Sequence, residues 1–66
     1  MLEQANPTPP PAALAGQIRA LRTARGLTLG ALAEAAGLDK GFLSRLERGQ
    51  KSPSIATLLR LAAALS

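Results

Sequence analysis

Residues 28–49 contain two short segments with helical periodicity, separated by Gly37 and closed by Gly49. In the first segment Thr28 occupies a capping position, and apolar side chains recur at helical spacing along one face. These apolar residues are Leu29, Leu32, Ala33 and Ala36. Gly37 can adopt the left-handed backbone that ends a helix without steric cost. The pattern predicts two helices joined by a tight turn.

The second segment has its own capping residue, Asp39, and Gly49 stands at the position after its end. One face carries Phe42, Leu43, Leu46 and Glu47. The residues left off the core are basic or small: Lys40, Gly41, Ser44, Arg45 and Arg48. A helix pair of this kind, whose second helix presents basic and small side chains outward, fits the major groove of DNA.

The composition indicates one small all-α domain. The chain has 66 residues, and its 47% hydrophobic content is nearly all Ala and Leu, which are strong helix formers. A domain of this size buries only about 60% of its unfolded surface, so its core must be small. Because the chain lacks cysteine and histidine, disulfides and Cys/His zinc sites are excluded. We expect no metal and no cofactor.

The periodicity predicts four helices, at about residues 12–25, 29–36, 40–48 and 54–65. The expected inner faces are Leu14, Ile18 and Leu21 in the first helix, and Ile55, Leu58, Leu59, Ala62 and Leu65 in the last. Residues 1–11 are polar and proline-rich and are predicted to form a disordered arm preceding a domain of residues 12–66. The last helix has no capping residue after it, which suggests a domain truncated at its C-terminus.

Basic residues are concentrated on and just after the third predicted helix. The net charge is +4, from eight Lys and Arg against four Asp and Glu. Lys40, Arg45, Arg48 and Lys51 fall within twelve positions. A local basic stripe is typical of a phosphate-binding surface, although a solubilising face gives the same pattern.

Residues Ile18 to Leu65 resemble the phage-repressor/Cro-like helix-turn-helix family, also called the xenobiotic-response-element family. The resemblance rests on the segments IRALRTARGLT, LAEAAGL and GFLSRLERGQKSPSIATLLRLAAAL in this order and spacing. It implies a small four- to five-helix bundle of the phage-repressor DNA-binding type, with residues 40–48 as the recognition helix in the major groove.

The resemblance also implies roles for particular residues. The positions that would reach base edges are Lys40, Gly41, Ser44 and Arg45. Those that would contact phosphate are Thr28, Arg48, Gln50 and Lys51. The chain departs from the family at Leu29, where glutamine is common, and at Gly41, where a bulkier polar residue is common. Base readout should therefore depend on Lys40, Ser44 and Arg45.

Arg22 and Glu47 are expected to form a structural ion pair. Arg22 follows Ile18, and Glu47 follows Leu43, each by four positions, so both charges lean toward inner helix faces. An unpaired buried charge destabilises a fold, so we expect the two side chains to form an ion pair. The resemblance implies a salt bridge at the same positions.

The function predicted from these features is sequence-specific binding of double-stranded DNA by a bacterial or phage transcription regulator in the cytoplasm, associated with the nucleoid. The expected assembly is a homodimer on a pseudo-palindromic operator, with a missing C-terminal region as one route to dimerisation. Arg45 is a candidate for binding guanine, for binding phosphate, or for pairing with Glu34 or Asp39.

The alternative function is an antitoxin or another protein-interaction module with the same fold. An exposed apolar patch would favour it, and Leu61 and the alanines of the last helix leave room for one. Membrane binding is not expected, since no single helix has a continuous basic face. An enzyme is not expected either, because no residue is placed to activate Ser44 as a nucleophile.

Overall fold

The computed structural model describes residues 11–66, which form four α-helices. These are α1 (Pro11–Ala24), α2 (Leu29–Ala36), α3 (Lys40–Glu47) and α4 (Ile55–Leu65). No strand occurs in this part of the chain. The small all-α helix-turn-helix fold predicted from the sequence is confirmed. The predicted arm lies outside the described residues, apart from Pro11, whose missing N–H is tolerated in the first turn of a helix.

Side-chain caps fix where three of the helices begin. Thr28, Asp39 and Ser54 precede α2, α3 and α4, and each is in an extended backbone conformation. The side-chain oxygen of each accepts a hydrogen bond of 3.0–3.1 Å from the backbone N–H three residues later. These bonds satisfy N–H groups that have no partner inside the helix, so the chain enters each helix at a defined residue.

The turn between α2 and α3 depends on Gly37, which has φ +69°. Its N–H donates to the carbonyls of Ala33 and Glu34, and the N–H of Leu38 donates to the Ala33 carbonyl at 2.8 Å. This is the arrangement that ends a helix with a left-handed residue. Gly49 has φ +75° after α3, as its predicted capping position requires.

A single core lies between the helices, where α1 packs on α3, and α2 packs on both α3 and α4. Its buried members are Ala15, Ile18, Leu32, Ala33, Ala36, Leu43, Leu46, Leu61 and Leu65. Leu32 and Leu43 are 0% exposed and belong to the two helices of the motif. Phe42 is partly buried against this core, in agreement with its predicted place on the inner face of α3. The helix pair is therefore fixed as one unit.

The predicted inner face of α4 is wrong in part. Ile55 is 77% exposed and Leu59 is 66% exposed, and Ala62 is exposed as well, whereas Leu61 is buried. The helix IATLLRLAAAL is apolar at almost every position, so its periodicity does not select one face. Packing against α2 selects the face that contains Leu61 and Leu65.

Leu21 also differs from its predicted position in the core of α1. It is 45% exposed, whereas Ile18, one turn earlier, is buried. In the last turn of α1 the side chain directed toward α3 is that of Arg22, which hydrogen-bonds to Glu47. The inner face of α1 thus changes from apolar to charged in its last turn.

Candidate nucleic-acid interface

The outer face of α3 carries the four residues that the sequence assigns to base contact. Lys40, Gly41 and Arg45 are exposed, and Ser44 is partly exposed. The opposite face is anchored by Leu43 and Leu46, which are 0% and 1% exposed. The helix therefore presents two cations and two small residues to an external partner.

Gly41 lies beside the Arg45 side chain, and a side chain added at Gly41 would adjoin Arg45 and crowd the Asp39 carboxylate. A Cβ atom built on Gly41 would lie 3.8 Å from Nη1 of Arg45 and 3.0 Å from Oδ2 of Asp39. The Arg45 guanidinium thus reaches back over the first turn of α3, as side chains in helices do. Within residues 11–66, no ion pair joins Arg45 to Glu34 or Asp39.

Both carboxylates adjoining α3 are engaged in holding the structure. Oδ2 of Asp39 accepts from the N–H of Phe42 at 3.1 Å, which caps α3. Glu47 accepts from Arg22, with 2.7 Å between Nε and Oε2 and 3.0 Å between Nη2 and Oε1. Glu47 is thus neutralised by Arg22, whereas Asp39 keeps its negative charge while it caps α3.

The structure brings together Arg22 and Glu47, the two charges placed on inner helix faces. Their side chains are 14% and 6% exposed. The third guanidinium nitrogen of Arg22, Nη1, donates to the carbonyl of Leu27 at 2.8 Å. Hydrogen bonding to Glu47 raises the pKa of Arg22, an effect that burial opposes and the charge of Glu47 reinforces. A bidentate pair of this kind fixes the orientation of α3 against α1.

The residues assigned to phosphate contact lie at three places in the fold. Thr28 is exposed at the start of α2, where it also caps the helix. Arg48 follows directly after α3 as its C-cap, and its Nε lies 3.4 Å from the Ser44 carbonyl. Gln50 and Lys51 are exposed in the loop that follows, where the Gln50 N–H donates to the Arg45 carbonyl at 2.9 Å.

An open cavity of about 270 Å³ lies beside α3. Its lining consists of Arg19, Arg22, Leu29, Ser44, Glu47 and Arg48. Besides the predicted ion pair, the lining includes two residues predicted to contact DNA, Ser44 and Arg48, but not Thr28, Gln50 or Lys51. Sequence reasoning missed Arg19; its position three residues before Arg22, one turn away on α1, is the signal that would have found it.

Residues 11–66 contain neither a membrane-spanning helix nor a cluster of metal-binding side chains. No helix there is long and apolar enough to span a membrane. The same residues contain no group of three or more acidic side chains that would hold a metal ion.

The chain is similar to known proteins over most of its length. The family described as Helix-turn-helix matches residues 18–66. The HTH-type transcriptional regulator SutR of Escherichia coli (strain K12) is 42% identical over 53 residues, which are 80% of this chain and 30% of that protein. The chain therefore spans less than a third of this relative.

Solved structures of other regulators share the fold. The restriction-modification controller protein C.AhdI of Aeromonas hydrophila has a TM-score of 0.82 and 40% identity, with 83% of each chain covered. The clp gene regulator ClgR of Corynebacterium glutamicum has a TM-score of 0.83 and 39% identity, covering 94% of this chain and 80% of that one. The chain belongs to the Cro/C1-type helix-turn-helix family of DNA-binding transcription regulators.

Proposed function

We propose that this chain binds double-stranded DNA sequence-specifically, as the DNA-binding domain of a transcription regulator, with α3 in the major groove. The observation that carries the proposal is the outer face of α3, where Lys40 and Arg45 are exposed beside Gly41 and Ser44. The major groove is about 12 Å wide and admits one helix, so small residues between the cations favour close approach.

Arg45 is the proposed main reader of base identity. Its guanidinium carries several N–H donors in a planar array, which matches the two acceptors that guanine presents in the major groove. Lys40 and Ser44 share the same face and offer single hydrogen bonds. Gly41 is proposed as a position of close backbone approach.

The contacts outside the groove are proposed to bind the DNA backbone. Thr28, Arg48, Gln50 and Lys51 lie at the start of α2, at the end of α3 and in the following loop, and all four are exposed. Phosphate contacts position a protein without reading sequence, so these residues should contribute affinity rather than specificity.

The proposed assembly is a homodimer on a pseudo-palindromic operator. One module of this size covers few base pairs, and two copies related by a two-fold axis read two half-sites. We propose binding without catalysis, because nothing near Ser44 activates its hydroxyl. The proposed place of action is the bacterial nucleoid.

Selection from a random duplex library, followed by gel shift, tests this proposal. The wild-type chain should enrich a sequence with two related half-sites. Arg45→Ala should lose preference at one base pair per half-site, whereas Arg60→Ala, an exposed arginine on α4, serves as the charge-matched control. Enrichment of no sequence, or equal effects of the two variants, would contradict it.

A second candidate function, protein interaction, is favoured by the exposed Ile55 and Leu59 on α4. Large apolar side chains one turn apart are unusual on a surface that contacts only water. Sedimentation equilibrium of wild type and of the Ile55→Ser/Leu59→Ser variant tests it. Concentration-dependent association that the variant lacks supports self-association through this face, and a monomeric wild type at every concentration rejects it.

A further inference from the structure

The cavity beside α3 has an excess of positive charge. Its lining contains three arginines and one carboxylate. Arg22 and Glu47 neutralise each other through their bidentate contact. The charges of Arg19 and Arg48 therefore remain unbalanced by the other residues that line the cavity.

Arg22 lines this cavity, but three of the five N–H donors of its guanidinium are used inside the fold. All three of its guanidinium nitrogens already donate, two of them to Glu47 and one to the Leu27 carbonyl. Arg48 differs, because only its Nε is held, at 3.4 Å from the Ser44 carbonyl. Arg19 is exposed on α1, and the sole ion pair within residues 11–66 is that of Arg22 with Glu47.

The position of the cavity links it to the outer face of α3. Ser44 lies on that face and also lines the cavity. A helix inserted in the major groove has a DNA backbone along each side, so the cavity would lie next to one of the two strands. Leu29, which lines the cavity from α2, offers no side-chain hydrogen bond, so the donors must come from α1 and α3.

We propose that Arg19 and Arg48 bind one phosphodiester group of DNA at the mouth of this cavity, which makes Arg19 a phosphate-binding residue. The inference rests on the proposed DNA binding and adds a contact from α1 to those of α2, α3 and the loop. Two guanidinium groups around one phosphate match its charge and its several acceptor oxygens.

The test uses duplexes of the selected operator in which single phosphates are replaced by uncharged methylphosphonate, one position at a time. Wild type, Arg19→Ala and the control Arg60→Ala are titrated against each duplex. Neutralising one linkage per half-site should weaken binding by wild type and by Arg60→Ala about tenfold or more, roughly the size of a lost hydrogen bond to a charged group. The same linkage should weaken binding by Arg19→Ala clearly less, because only the Arg48 contact is left to lose in that variant. Arg19 is exposed, so the variant should keep the circular dichroism spectrum of wild type.

The salt dependence of affinity provides the second measurement. Arg19→Ala should lower the slope of log K against log salt by about one per contact removed, and equally on operator and unrelated duplex. Identical methylphosphonate profiles and slopes for Arg19→Ala and wild type would overturn the inference while DNA binding stands. A wild-type chain that binds no duplex would instead contradict the proposed function, and this inference with it.

Discussion

Removal of one partner from the Arg22–Glu47 ion pair should strongly reduce the stability of the fold. The pair joins α1 to α3 across 25 positions of sequence through two hydrogen bonds, and its side chains are 14% and 6% exposed. Breaking a buried pair by removing one partner typically costs about 3–5 kcal/mol, because the other charge is left without compensation. The open cavity beside the pair admits water, so we expect the lower end, about 3 kcal/mol.

The two single variants should differ in a defined order. Arg22→Ala removes the contacts to Glu47 and also the hydrogen bond to the Leu27 carbonyl, whereas Glu47→Ala leaves that bond in place. Arg22→Ala should therefore be the more destabilising by about 1 kcal/mol, the net value of one hydrogen bond. In a double-mutant cycle, the Arg22→Ala/Glu47→Ala variant should be less destabilised than the sum of the two single variants.

Urea denaturation followed by circular dichroism measures these differences. Domains of this size are commonly stable by only a few kcal/mol, so the single variants should be largely unfolded near 37 °C. Arg25→Ala, an exposed arginine in the turn after α1, is the control and should stay within about 0.5 kcal/mol of wild type. Single variants as stable as this control would refute the reasoning.

The pH dependence follows from the direction of the pKa shift. The pKa of Arg22 is raised by Glu47, so the stability from this shift is present below the ordinary pKa of arginine and is lost only above it. Wild type should therefore lose no stability through Arg22 between about pH 7 and about pH 10. A titration of the urea midpoint over this interval checks it, with the Arg22→Ala variant as reference.

Three further predictions concern the α2–α3 unit and the loop after it. Arg45→Ala should cost about 1–3 kcal/mol of binding free energy on the selected operator and relax the sequence preference at one base pair per half-site, whereas Lys51→Ala should weaken binding to all duplexes about equally. Competition gel shifts separate these outcomes, and the reverse pattern would mean that α3 does not read the base sequence. Gly41→Gln should change the selected base next to Arg45, because its side chain would adjoin Arg45; an unchanged operator would contradict this. Gly37→Ala should cost about 1–2 kcal/mol in urea denaturation, from backbone strain alone, since a Cβ there meets no atom within 4 Å.

The helix boundaries were predictable because their signals are local. A capping side chain such as Thr28 or Asp39 bonds to a backbone N–H three residues away, and Gly37 needs no distant partner to adopt a positive φ. The observed α2 has the predicted bounds, and α3 ends one residue before its predicted end, at Glu47. Interactions between residues this close along the chain can be predicted from the sequence alone.

The burial of α4 and of the turns was less predictable because it depends on distant packing. Leu27 and Leu38 lie outside the helices, so helical periodicity does not predict whether they are buried. Both nevertheless pack against the core. In α4 nearly all positions are apolar, and its contact with α2 decides that Leu61 is buried and Leu59 is not. Helical periodicity identifies the buried face of a helix only when polar residues occupy the opposite face.

In the candidate site, too, the features formed by neighbouring residues were predictable and those formed by distant residues were not. The basic run from Lys40 to Lys51 is visible in the sequence, but Arg19 is separated from it by more than twenty positions and joins it only through the packing of α1 on α3. The Arg22–Glu47 pair holds these two helices together and also neutralises the carboxylate that faces the cavity. A carboxylate without Arg22 would repel a phosphate at the same place, so the ion pair that stabilises the fold also keeps the electrostatic potential of the cavity positive.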